Sequence, residues 1–534
     1  MPVSKLSHLM AFQFFGSTPG IHHLLNLFLH TANVLLVFYI LRRWTQDPWL
    51  SLAAAALFAI HPVQVESVAW VSARKDLLSA LFGLLTVWLY QHPSKNRPNT
   101  RLALICFLYF LSLGAKPALI TLPFLLAMLD KKISRKLLPL FAISAIFCFI
   151  TWSVQAKAAH YIHPTPLIFR AMVTGVFYLG KVLFPYPLAI YGRVPAEAIA
   201  FWKIAGSATL LFSISLFLYL RRKKYPLAIF GWCWFVLCLA PALILEVPAD
   251  RYLYMALLGI LIAVLTTFPK KWVRPLAIAA IGACIPLAYF QTGYWKNSAT
   301  LFQHALAINE KNYTAHGNLA ETLVSEKKYE EAAAHYFRAL ELNPQNTEAL
   351  TSLGVLFEKE NALSRAEEYH RKALRIEPGS AQTHFNLANV LEKEGKKPEA
   401  LEQFFEAIKL KPDFAQSYLN AAELLVEEGK TEEAISNYKA ALQIQPSYTA
   451  ALNNLGLLLV SQGRYPEAIS NFSKILKSDP SNVEARNNLA ITLIKSGDLK
   501  TAAGHLEKIV QEHPESQEAR ANLKRLYSKI EHYS

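Results

Sequence analysis

Residues 381–414 read AQTHFNLANVLEKEGKKPEALEQFFEAIKLKPDF, and this pattern recurs along the C-terminal half of the chain. Its prolines are spaced by 34 residues, at 344, 378, 412, 446, 480 and 514. Small residues keep the same register, at Ala320, Gly354, Ala388, Ala422, Gly456 and Ala490, and again at Ala332, Ala366, Ala400, Ala434, Ala468 and Ala502. Small side chains let two helices approach closely, and a proline ends the second helix of each pair. The pattern therefore predicts an array of helical hairpins.

A period of 34 residues with these positions is typical of tetratricopeptide repeats. Six complete repeats are predicted at 313–516, after a connecting half-repeat at 293–312 and before a capping helix at 517–534. Such arrays form a concave groove that holds an extended peptide or a partner helix. The asparagines predicted to line this groove and bind an acceptor or partner protein are Asn318, Asn386, Asn420, Asn454 and Asn488. The alternative is a solvated polar face.

The N-terminal half has a different composition. The chain of 534 residues is 53% hydrophobic and only 17% charged, which is too apolar for an ordinary soluble protein. Residues 1–292 carry a net charge of +19, and the remainder carries −4. Since the positive charges stand between long apolar runs, they indicate membrane topology, and nucleic acid is not an expected partner. The five cysteines lie in apolar runs without metal-site or disulfide spacing, so no metal site is predicted.

Apolar stretches predict a polytopic membrane domain over residues 1–292, with about ten spans. The stretches lie at 21–41, 49–64, 77–91, 101–113, 117–130, 137–156, 168–184, 204–220, 226–245, 252–268 and 274–292. The positive-inside rule places the basic clusters in the cytoplasm and four loops outside. This assignment requires that the stretch 168–184 does not cross the membrane as a single span. These loops are 61–76, 114–117, 156–203 and 246–251. The prediction is a multi-pass membrane protein, in the cell or inner membrane if bacterial, with extracytoplasmic repeats.

Two of these outward loops carry ionisable side chains against apolar segments. Residues 61–76 read HPVQVESVAWVSARKD, and residues 249–254 read ADRYLY. Charges at membrane depth are costly, and they usually line a polar cavity or pair with one another. An interfacial set of ion pairs would account for them, but two such loops on one predicted face favour a functional site. Lys116, next to Pro117, either meets a phosphate there or extends to the membrane surface.

The order of these motifs resembles one family over essentially the whole chain. The motifs are FAIHP at 58–62, Glu66, VAW at 68–70, Arg74, Asp76 and DRYLY at 250–254, followed by the repeats. Together they resemble the transmembrane and tetratricopeptide-repeat proteins of the GT-C glycosyltransferase superfamily, which include protein O-mannosyltransferases. The resemblance implies an all-α, GT-C-like membrane domain followed by an α-solenoid. It also implies transfer of a mannose-like sugar from a polyprenyl-phosphate donor to an acceptor protein held by the repeats.

One departure from the family concerns the N-terminus. Family members usually begin with a further span and an external loop that bears catalytic acids, whereas no Asp or Glu precedes Asp47 here. Two expectations follow: either the chain starts too far downstream, or it is a shortened form that has lost transfer.

Sugar transfer from a lipid phosphate requires a base for the acceptor hydroxyl and cations for the departing phosphate. The expected catalytic carboxylates are Glu66, Asp76 and Asp250, with Glu66 the first candidate for the base. The cations expected at the donor phosphate are Arg74, Lys75, Lys116 and Arg251, of which arginine suits bidentate contact. His61 is the expected orienting residue. If Glu66 is not the base, we expect that carboxylate to orient His61 or an arginine.

Two other classes of function remain open at the sequence level. A membrane-anchored repeat scaffold without catalytic activity would bind partner proteins through the same groove. A transporter of a lipid or small solute would also carry charges within the membrane, although no two-fold hydropathy symmetry supports it. No cofactor is predicted beyond the lipid-linked sugar, and the sequence determines neither metal dependence nor oligomeric state.

Overall fold

The computed structural model describes residues 2–92, 98–130, 134–155, 165–188, 190, 199–244 and 249–533. Within these ranges the regular structure is helical and contains no strand. The chain forms two compact units, Met1–Thr322 and Leu323–Ser534. The predicted all-α architecture, an apolar helical half followed by a helical repeat array, is confirmed.

Most helices of the apolar half follow the predicted apolar stretches, but the first, at Pro2–Phe15, precedes all of them and was not predicted. The helices are α1 (Pro2–Phe15), α2 (Pro19–Thr45), α3 (Pro48–Ile60), α4 (Val65–Ala69), α5 (Arg74–Gln91), α6 (Pro98–Ala115), α7 (Leu122–Asp130), α8 (Leu138–Gln155), α9 (Leu167–Leu183), α10 (Phe201–Leu220), α11 (Pro226–Ile244), α12 (Leu253–Thr267) and α13 (Lys270–Tyr294). Short 3-10 turns lie at Pro62–Gln64, Val71–Ala73, Pro117–Leu119, Arg135–Leu137 and Asp250–Tyr252. Prolines at the first helical position, such as Pro19 and Pro48, begin several of these helices.

Five helical segments of the described chain are long and apolar enough to cross a membrane. They are Pro19–Thr45, Arg135–Ser153, Phe201–Leu220, Asp250–Thr267 and Lys270–Tyr294. A sixth arises if Pro48–Ile60 and Pro62–Ala69, which are bent by 52° from each other, count as one broken span. The shorter apolar helices, among them the one at Asn99–Ala115, do not reach this length. The count of about ten spans therefore stays a prediction.

Helices α11 and α12 pack unusually closely because glycines meet where they cross. A Cβ atom on Gly231 would lie 2.5 Å from the carbonyl oxygen of Gly259, and one on Gly259 would lie 2.5 Å from the backbone nitrogen of Phe235. Small residues at such crossings allow backbones to approach in the absence of a hydrophobic driving force. This contact fixes α12, whose N-terminal end follows Asp250–Tyr252.

The repeat half consists of paired helices that begin in the predicted register. A half-repeat helix, α14 (Ser298–Ile308), precedes them. The pairs are α15 (Tyr313–Ser325) with α16 (Tyr329–Leu342), α17 (Thr347–Lys359) with α18 (Leu363–Ile376), α19 (Ala381–Lys393) with α20 (Lys397–Leu410), α21 (Ala415–Glu427) with α22 (Thr431–Ile444), α23 (Thr449–Ser461) with α24 (Tyr465–Ser478), and α25 (Val483–Ser496) with α26 (Leu499–Glu512), followed by α27 (Gln517–Tyr533). The tetratricopeptide repeats are confirmed. The finer division at 1–292, 293–312, 313–516 and 517–534 stays a prediction.

The small residues of the repeats make room for large side chains of the paired helix. A Cβ atom on Gly456 would lie 2.6 Å from the ring of Phe472, so the ring occupies the space that a side chain would need. Gly354 faces the ring of His370 in the same way. His370 therefore occupies, in its repeat, the core position that Phe472 occupies in the repeat of Gly456.

His370 is fully buried, and neither ring nitrogen has a hydrogen-bond partner among the described residues. Burial lowers the pKa of His370 to about 4 from its usual 6.5, because the imidazolium loses its water. Above pH 6.5 the imidazole is neutral in both states, and this residue costs no stability. Between pH 6.5 and about 4 the unfolded chain binds a proton that the folded chain does not, so the free energy of unfolding falls as the pH falls. We expect His370→Phe to abolish this acid-induced fall in the free energy of unfolding, which reaches about 3 kcal/mol near pH 4.

The measurement is hydrogen exchange in α17 and α18 of the purified chain between pH 7 and pH 4.5, corrected for intrinsic rates. The exposed His513 provides the matched control, since its side chain is 42% accessible. His513→Phe should leave the pH dependence of these two helices unchanged. Equal pH dependence in wild type and His370→Phe would contradict the assignment.

Candidate functional site

The loop that connects α3 and α5 is folded inward rather than exposed. The chain turns at Pro62–Gln64, forms the single turn α4, and turns again at Val71–Ala73 before α5 begins at Arg74. Pro62 begins this irregular stretch because proline cannot extend the hydrogen-bond pattern of α3. Val63 and Ser67 are buried. The loop therefore presents its polar side chains to the interior of the unit.

Glu66 on α4 is held by Arg251 through both of its carboxylate oxygens. Oε1 accepts a hydrogen bond from the guanidinium of Arg251 at 2.7 Å, and Oε2 accepts one from the backbone nitrogen of Arg251 at 3.1 Å. The side chain of Glu66 is only 4% exposed. Such a two-point, charge-assisted contact fixes both groups. The two sequence motifs that lie 185 residues apart thus meet directly.

Two further buried ion pairs bring in the other predicted outward loops. The ammonium of Lys116 contacts Oδ1 of Asp76, and the ammonium of Lys181 contacts Oδ1 of Asp250. Both carboxylate side chains are 5% exposed. Oδ2 of Asp76 is buried and has no hydrogen-bond partner in the described part of the chain. A buried acceptor without a partner is uncommon in proteins and calls for an explanation.

Aromatic rings join these ion pairs into one group. The ring of Tyr252 lies 4.6 Å from the ammonium of Lys116 and 5.4 Å from the guanidinium of Arg251. The ring of Trp70 lies 4.9 Å from the same guanidinium. Such cation–π contacts stabilise cations away from water. We call the whole group the polar cluster; its charged members are Glu66, Arg74, Lys75, Asp76, Lys116, Lys181, Asp250 and Arg251.

Arg74 is buried in this cluster and makes no salt bridge with a described carboxylate. Its Nε donates to Oδ1 of Asn26 at 3.1 Å, and its terminal nitrogens contact the ring and carbonyl of His22 and the carbonyl of Ser7. Asn26 also donates from Nδ2 to the carbonyls of Val68 and Trp70. One buried amide on α2 therefore ties together three points of the loop.

Lys75, like Arg74, makes no salt bridge within the described residues. It is partly buried, and its electrostatic neighbours are Asp76, Lys116 and Arg251. The cluster holds five cations and three carboxylates, so it carries a formal surplus of two positive charges. A surplus of this size in a partly buried site favours an anion.

His61 lies beside an apolar cavity and is not bonded to Glu66. Its Nε2 contacts the carbonyl of Val182 at 3.0 Å, and its Nδ1 accepts from the backbone nitrogen of Val63. The cavity has a volume of about 610 Å³ and is lined mainly by α12, α13 and the end of α9. Val182 lines the cavity and directly follows Lys181 in the chain, but no charged member of the polar cluster is among the described lining residues.

The asparagines predicted to line the repeat groove fall into two groups. Asn420, Asn454 and Asn488 each donate from Nδ2 to the neighbouring repeat, to Asn389, Glu423 and Asn453 respectively. The other two bond within their own helices, Asn318 to Thr314 and Asn386 to Gln382. Three of the five therefore connect successive repeats, a role that the sequence analysis did not foresee.

A polar cavity of about 630 Å³ lies on the first helices of the third and fourth repeats. Asn420 is the predicted asparagine among its lining residues, which include Asn389, Glu392 and Glu423. Burial, and then repulsion from neighbouring glutamates, raises the pKa of Glu392. Burial also raises the pKa of Glu423. Four glutamates and two lysines, Lys393 and Lys397, line the cavity, so its formal charge is −2.

Two residues of the cluster were missed at the sequence level. Lys181 is a single cation in the last turn of the apolar α9, a position that the sequence alone cannot distinguish from a residue that extends to the membrane surface. Asn26 is one of several polar residues of the apolar α2, and a polar side chain in such a helix was the available signal. No group of three or more potential metal ligands occurs among the described residues.

Family models match the repeat half of the chain. Those described as "Tetratricopeptide repeat" match residues 313–346 and 453–517, and one described as "TPR repeat" matches 422–463. Among solved structures, YrrB, described as a TPR protein with an unusual peptide-binding site, is 24% identical with a TM-score of 0.31 and covers 35% of this chain and 96% of its own. Pseudomonas aeruginosa pilF is 21% identical with a TM-score of 0.35 and covers 40% and 96%.

Curated relatives match between about a quarter and three fifths of the chain. Protein O-mannosyl-transferase F38B6.6 of Caenorhabditis elegans is 24% identical over 352 residues, which cover 60% of this chain and 50% of that protein. Protein O-mannosyl-transferase TMTC4 of Mus musculus is 31% identical over 208 residues, covering 36% and 26%. Protein O-mannosyl-transferase Tmtc1 of Drosophila melanogaster is 35% identical over 129 residues, covering 24% and 15%. The chain spans half or less of the length of these relatives.

Proposed function

We propose that this TMTC-like, tetratricopeptide-repeat chain is a membrane glycosyltransferase that moves a mannose-type sugar from a polyprenyl-phosphate donor to an acceptor protein. The observation that carries the proposal is the polar cluster, in which three carboxylates are paired and two positive charges are in surplus. A site for a lipid phosphate needs such a surplus, since the donor brings a negative charge and its departure as a phosphate adds another. The names of the curated relatives support the same class of reaction.

Asp76 is the carboxylate that we assign as the base. Glu66 uses both oxygens on Arg251, which makes it a positioning residue for that arginine. Asp76 keeps Oδ2 without a partner, while Lys116 holds Oδ1. A base needs a free oxygen within reach of the acceptor hydroxyl. Asp250 is paired with Lys181 and orients the start of α12.

In the proposed step, the acceptor hydroxyl displaces the polyprenyl phosphate from the sugar. Oδ2 of Asp76 takes the proton of the acceptor hydroxyl as its oxygen bonds to the anomeric carbon of the sugar. The bond between that carbon and the phosphate oxygen breaks, and its electron pair leaves with the polyprenyl phosphate. Lys75, which makes no salt bridge within the described chain, stabilises the added negative charge, with Arg251 and Lys116 nearby.

The apolar cavity beside His61 is the proposed position of the polyprenyl chain. It is lined by apolar side chains of α12 and α13 and by Val182, the residue that follows Lys181 at the end of α9. An isoprenoid chain bound there would place its phosphate at the edge of the polar cluster. Burial of such a chain contributes roughly 25 cal/mol per Å² of apolar surface removed from water.

The proposal also covers the side of the membrane on which the cluster lies and the surface that binds the acceptor. The segments around Glu66, Lys116, Lys181 and Asp250, which the positive-inside rule places on one side, meet in a single cluster. We assign that side, with the repeats, to the extracytoplasmic face of a multi-pass protein. The groove around Glu392 and Glu423 is the proposed contact for a positively charged segment of the acceptor.

Replacing Lys75 tests the donor site. We expect Lys75→Ala to weaken binding of undecaprenyl phosphate about tenfold, because Lys75 is the partly exposed one of the two cluster cations that have no carboxylate partner among the described residues. The measurement is binding to the full chain in nanodiscs, with undecaprenol as the uncharged comparison ligand. Lys270→Ala, an exposed cation paired with Asp47, is the matched control and should leave binding unchanged. Equal affinity for the phosphate and the alcohol would contradict a phosphate site.

A non-catalytic scaffold is the second candidate function, and one observation favours it. The acidic groove of the third and fourth repeats would bind a basic partner whether or not the membrane half is active. Partner binding with neither lipid-phosphate binding nor sugar transfer would support this alternative.

A further inference from the structure

The apolar half carries a second group of charged residues, at the end opposite the polar cluster. α3 begins beside Asp47 and ends at the loop that carries Glu66. α12 runs the other way, from beside Asp250 to just before Lys270. Since helices rise about 1.5 Å per residue, this end lies roughly 20 Å from the cluster. Nζ of Lys270 lies 2.8 Å from Oδ2 of Asp47, which joins the start of α13 to the start of α3.

This end of the apolar half carries more cations than carboxylates. Asp47 pairs with Lys270. No other Asp or Glu precedes Glu66, and none stands between Asp250 and Glu310. The exposed cations there that make no salt bridge with a described residue are Arg42, Arg43, Lys271 and Arg274. We call these four residues, together with Asp47 and Lys270, the basic surface; its formal surplus is four positive charges.

Two tryptophans accompany the basic surface. The guanidinium of Arg274 lies 5.5 Å from the ring centre of Trp49, which is half-buried against the core of the unit. Trp272 on α13 is 58% exposed. Tryptophan prefers the boundary between hydrocarbon and lipid headgroups. An arginine held on the face of an indole keeps the edge of its guanidinium available for a phosphate. Arg274 is therefore held where lipid phosphates lie.

One face of α13 continues the basic surface as an exposed apolar strip. At 3.6 residues per turn, Ile278 lies one turn beyond Arg274 and two turns beyond Lys271, on the same face. Its side chain is 62% exposed, and that of Ile285, two turns further along, is 57% exposed. The apolar cavity is lined by the opposite face of α13, at residues such as Ala280. The strip therefore lies apart from the proposed position of the polyprenyl chain.

We propose that the basic surface binds the anionic headgroup of a membrane phospholipid with two acyl chains. Its phosphate contacts Lys271 and Arg274. Its acyl chains lie along Ile278 and Ile285. Basic residues clustered at helix ends attract anionic lipids, and the apolar strip offers a contact that a soluble phosphate cannot use. The bound lipid holds the starts of α3 and α13 together, and this inference does not rest on the proposed function.

The test measures binding of phosphatidylglycerol, and of phosphatidylcholine with the same acyl chains, to the detergent-purified full chain by native mass spectrometry. We expect tighter binding of phosphatidylglycerol. The double variant Lys271→Gln with Arg274→Gln should weaken that binding about 25-fold, since each basic residue at a membrane surface contributes roughly fivefold. Arg222→Gln with Lys223→Gln removes two exposed cations at the end of α10 and is the matched control. It should leave the affinity unchanged.

A variant that strengthens binding separates the site from effects on folding. Asp47→Asn keeps a side-chain oxygen for the N-cap of α3 and frees Lys270, so it should raise the affinity for phosphatidylglycerol about fivefold. Partial unfolding would not produce such a gain. Lys75→Ala acts at the polar cluster and should leave phosphatidylglycerol binding unchanged, so failure of the donor site and failure of this site are distinguishable.

Three results would overturn the lipid site. One is equal affinity for the two phospholipids. Another is an equal loss in the two double variants, which would reduce the basic surface to general charge attraction. The third is displacement of phosphatidylglycerol by soluble glycerol phosphate at a similar concentration, which would mean that the acyl chains contribute nothing.

Discussion

Replacing Asp76 by asparagine is expected to lower kcat for sugar transfer about 1000-fold, the range usual for loss of a general base. Asparagine keeps the size of the side chain but cannot take the proton of the acceptor hydroxyl. Oδ2 of Asp76 is a buried carboxylate oxygen that no described residue binds, so its removal leaves no equivalent acceptor in that position. KM for the donor should change much less, because Lys75 remains. The measurement is the rate of label transfer from a polyprenyl-phosphate sugar to protein.

The ion pair with Lys116 requires a control, since breaking a buried pair can destabilise the fold by about 3 kcal/mol or more. The double variant Asp76→Asn with Lys116→Gln removes both charges and restores electrical balance. It should recover thermal stability and remain inactive. Asp130→Asn, which changes an exposed carboxylate outside the cluster, should keep full activity. Activity that returns with the double variant would show that Asp76 acts through the fold alone.

Replacing Asn26 by alanine is expected to destabilise the first unit by about 3 kcal/mol. The change removes bonds to Arg74 and to the carbonyls of Val68 and Trp70, and it leaves buried polar groups without partners. Transfer should fall with stability, because the loop carries Glu66 and Asp76. Thermal unfolding of the purified chain in detergent, followed by tryptophan fluorescence, measures the effect.

Thr31 offers the matched control on the same helix. Its hydroxyl is exposed and bonds only to the carbonyl of Leu27 within the described structure. Thr31→Ala should therefore shift the unfolding temperature little. A shift for Asn26→Ala as small as that of Thr31→Ala would contradict the role of Asn26 in holding the loop.

The repeat array was predictable from the sequence because its period is local and regular. The helices begin at Tyr313, Thr347 and Ala381 and continue at the same interval, in register with the prolines and small residues. The apolar stretches likewise predicted the helices of the first half. The sequence also predicted that the charged loops at 61–76 and 249–254 contact one another, since charges at membrane depth usually pair.

The pairing of the charges was not predictable, because it depends on distances that no sequence pattern contains. Glu66 was the first candidate for the base, yet Arg251 binds both of its oxygens and leaves Asp76 as the stronger candidate. Lys181 reaches the cluster only because α9 ends beside Asp250. The asparagines of the groove were placed correctly on the first helices. Their bonds to neighbouring repeats became visible only when successive helices were in position.

Label transfer by the wild-type chain tests the central claim most directly. The chain is reconstituted into vesicles with a labelled polyprenyl-phosphate mannose and a protein fraction as acceptor, alongside the Asp76→Asn variant with Lys116→Gln. The account predicts label in protein for the wild type, released by chemistry specific for O-linked sugar, and about 1000-fold less for the variant. Equal labelling by the two chains, or none by a wild type that binds undecaprenyl phosphate, would contradict it.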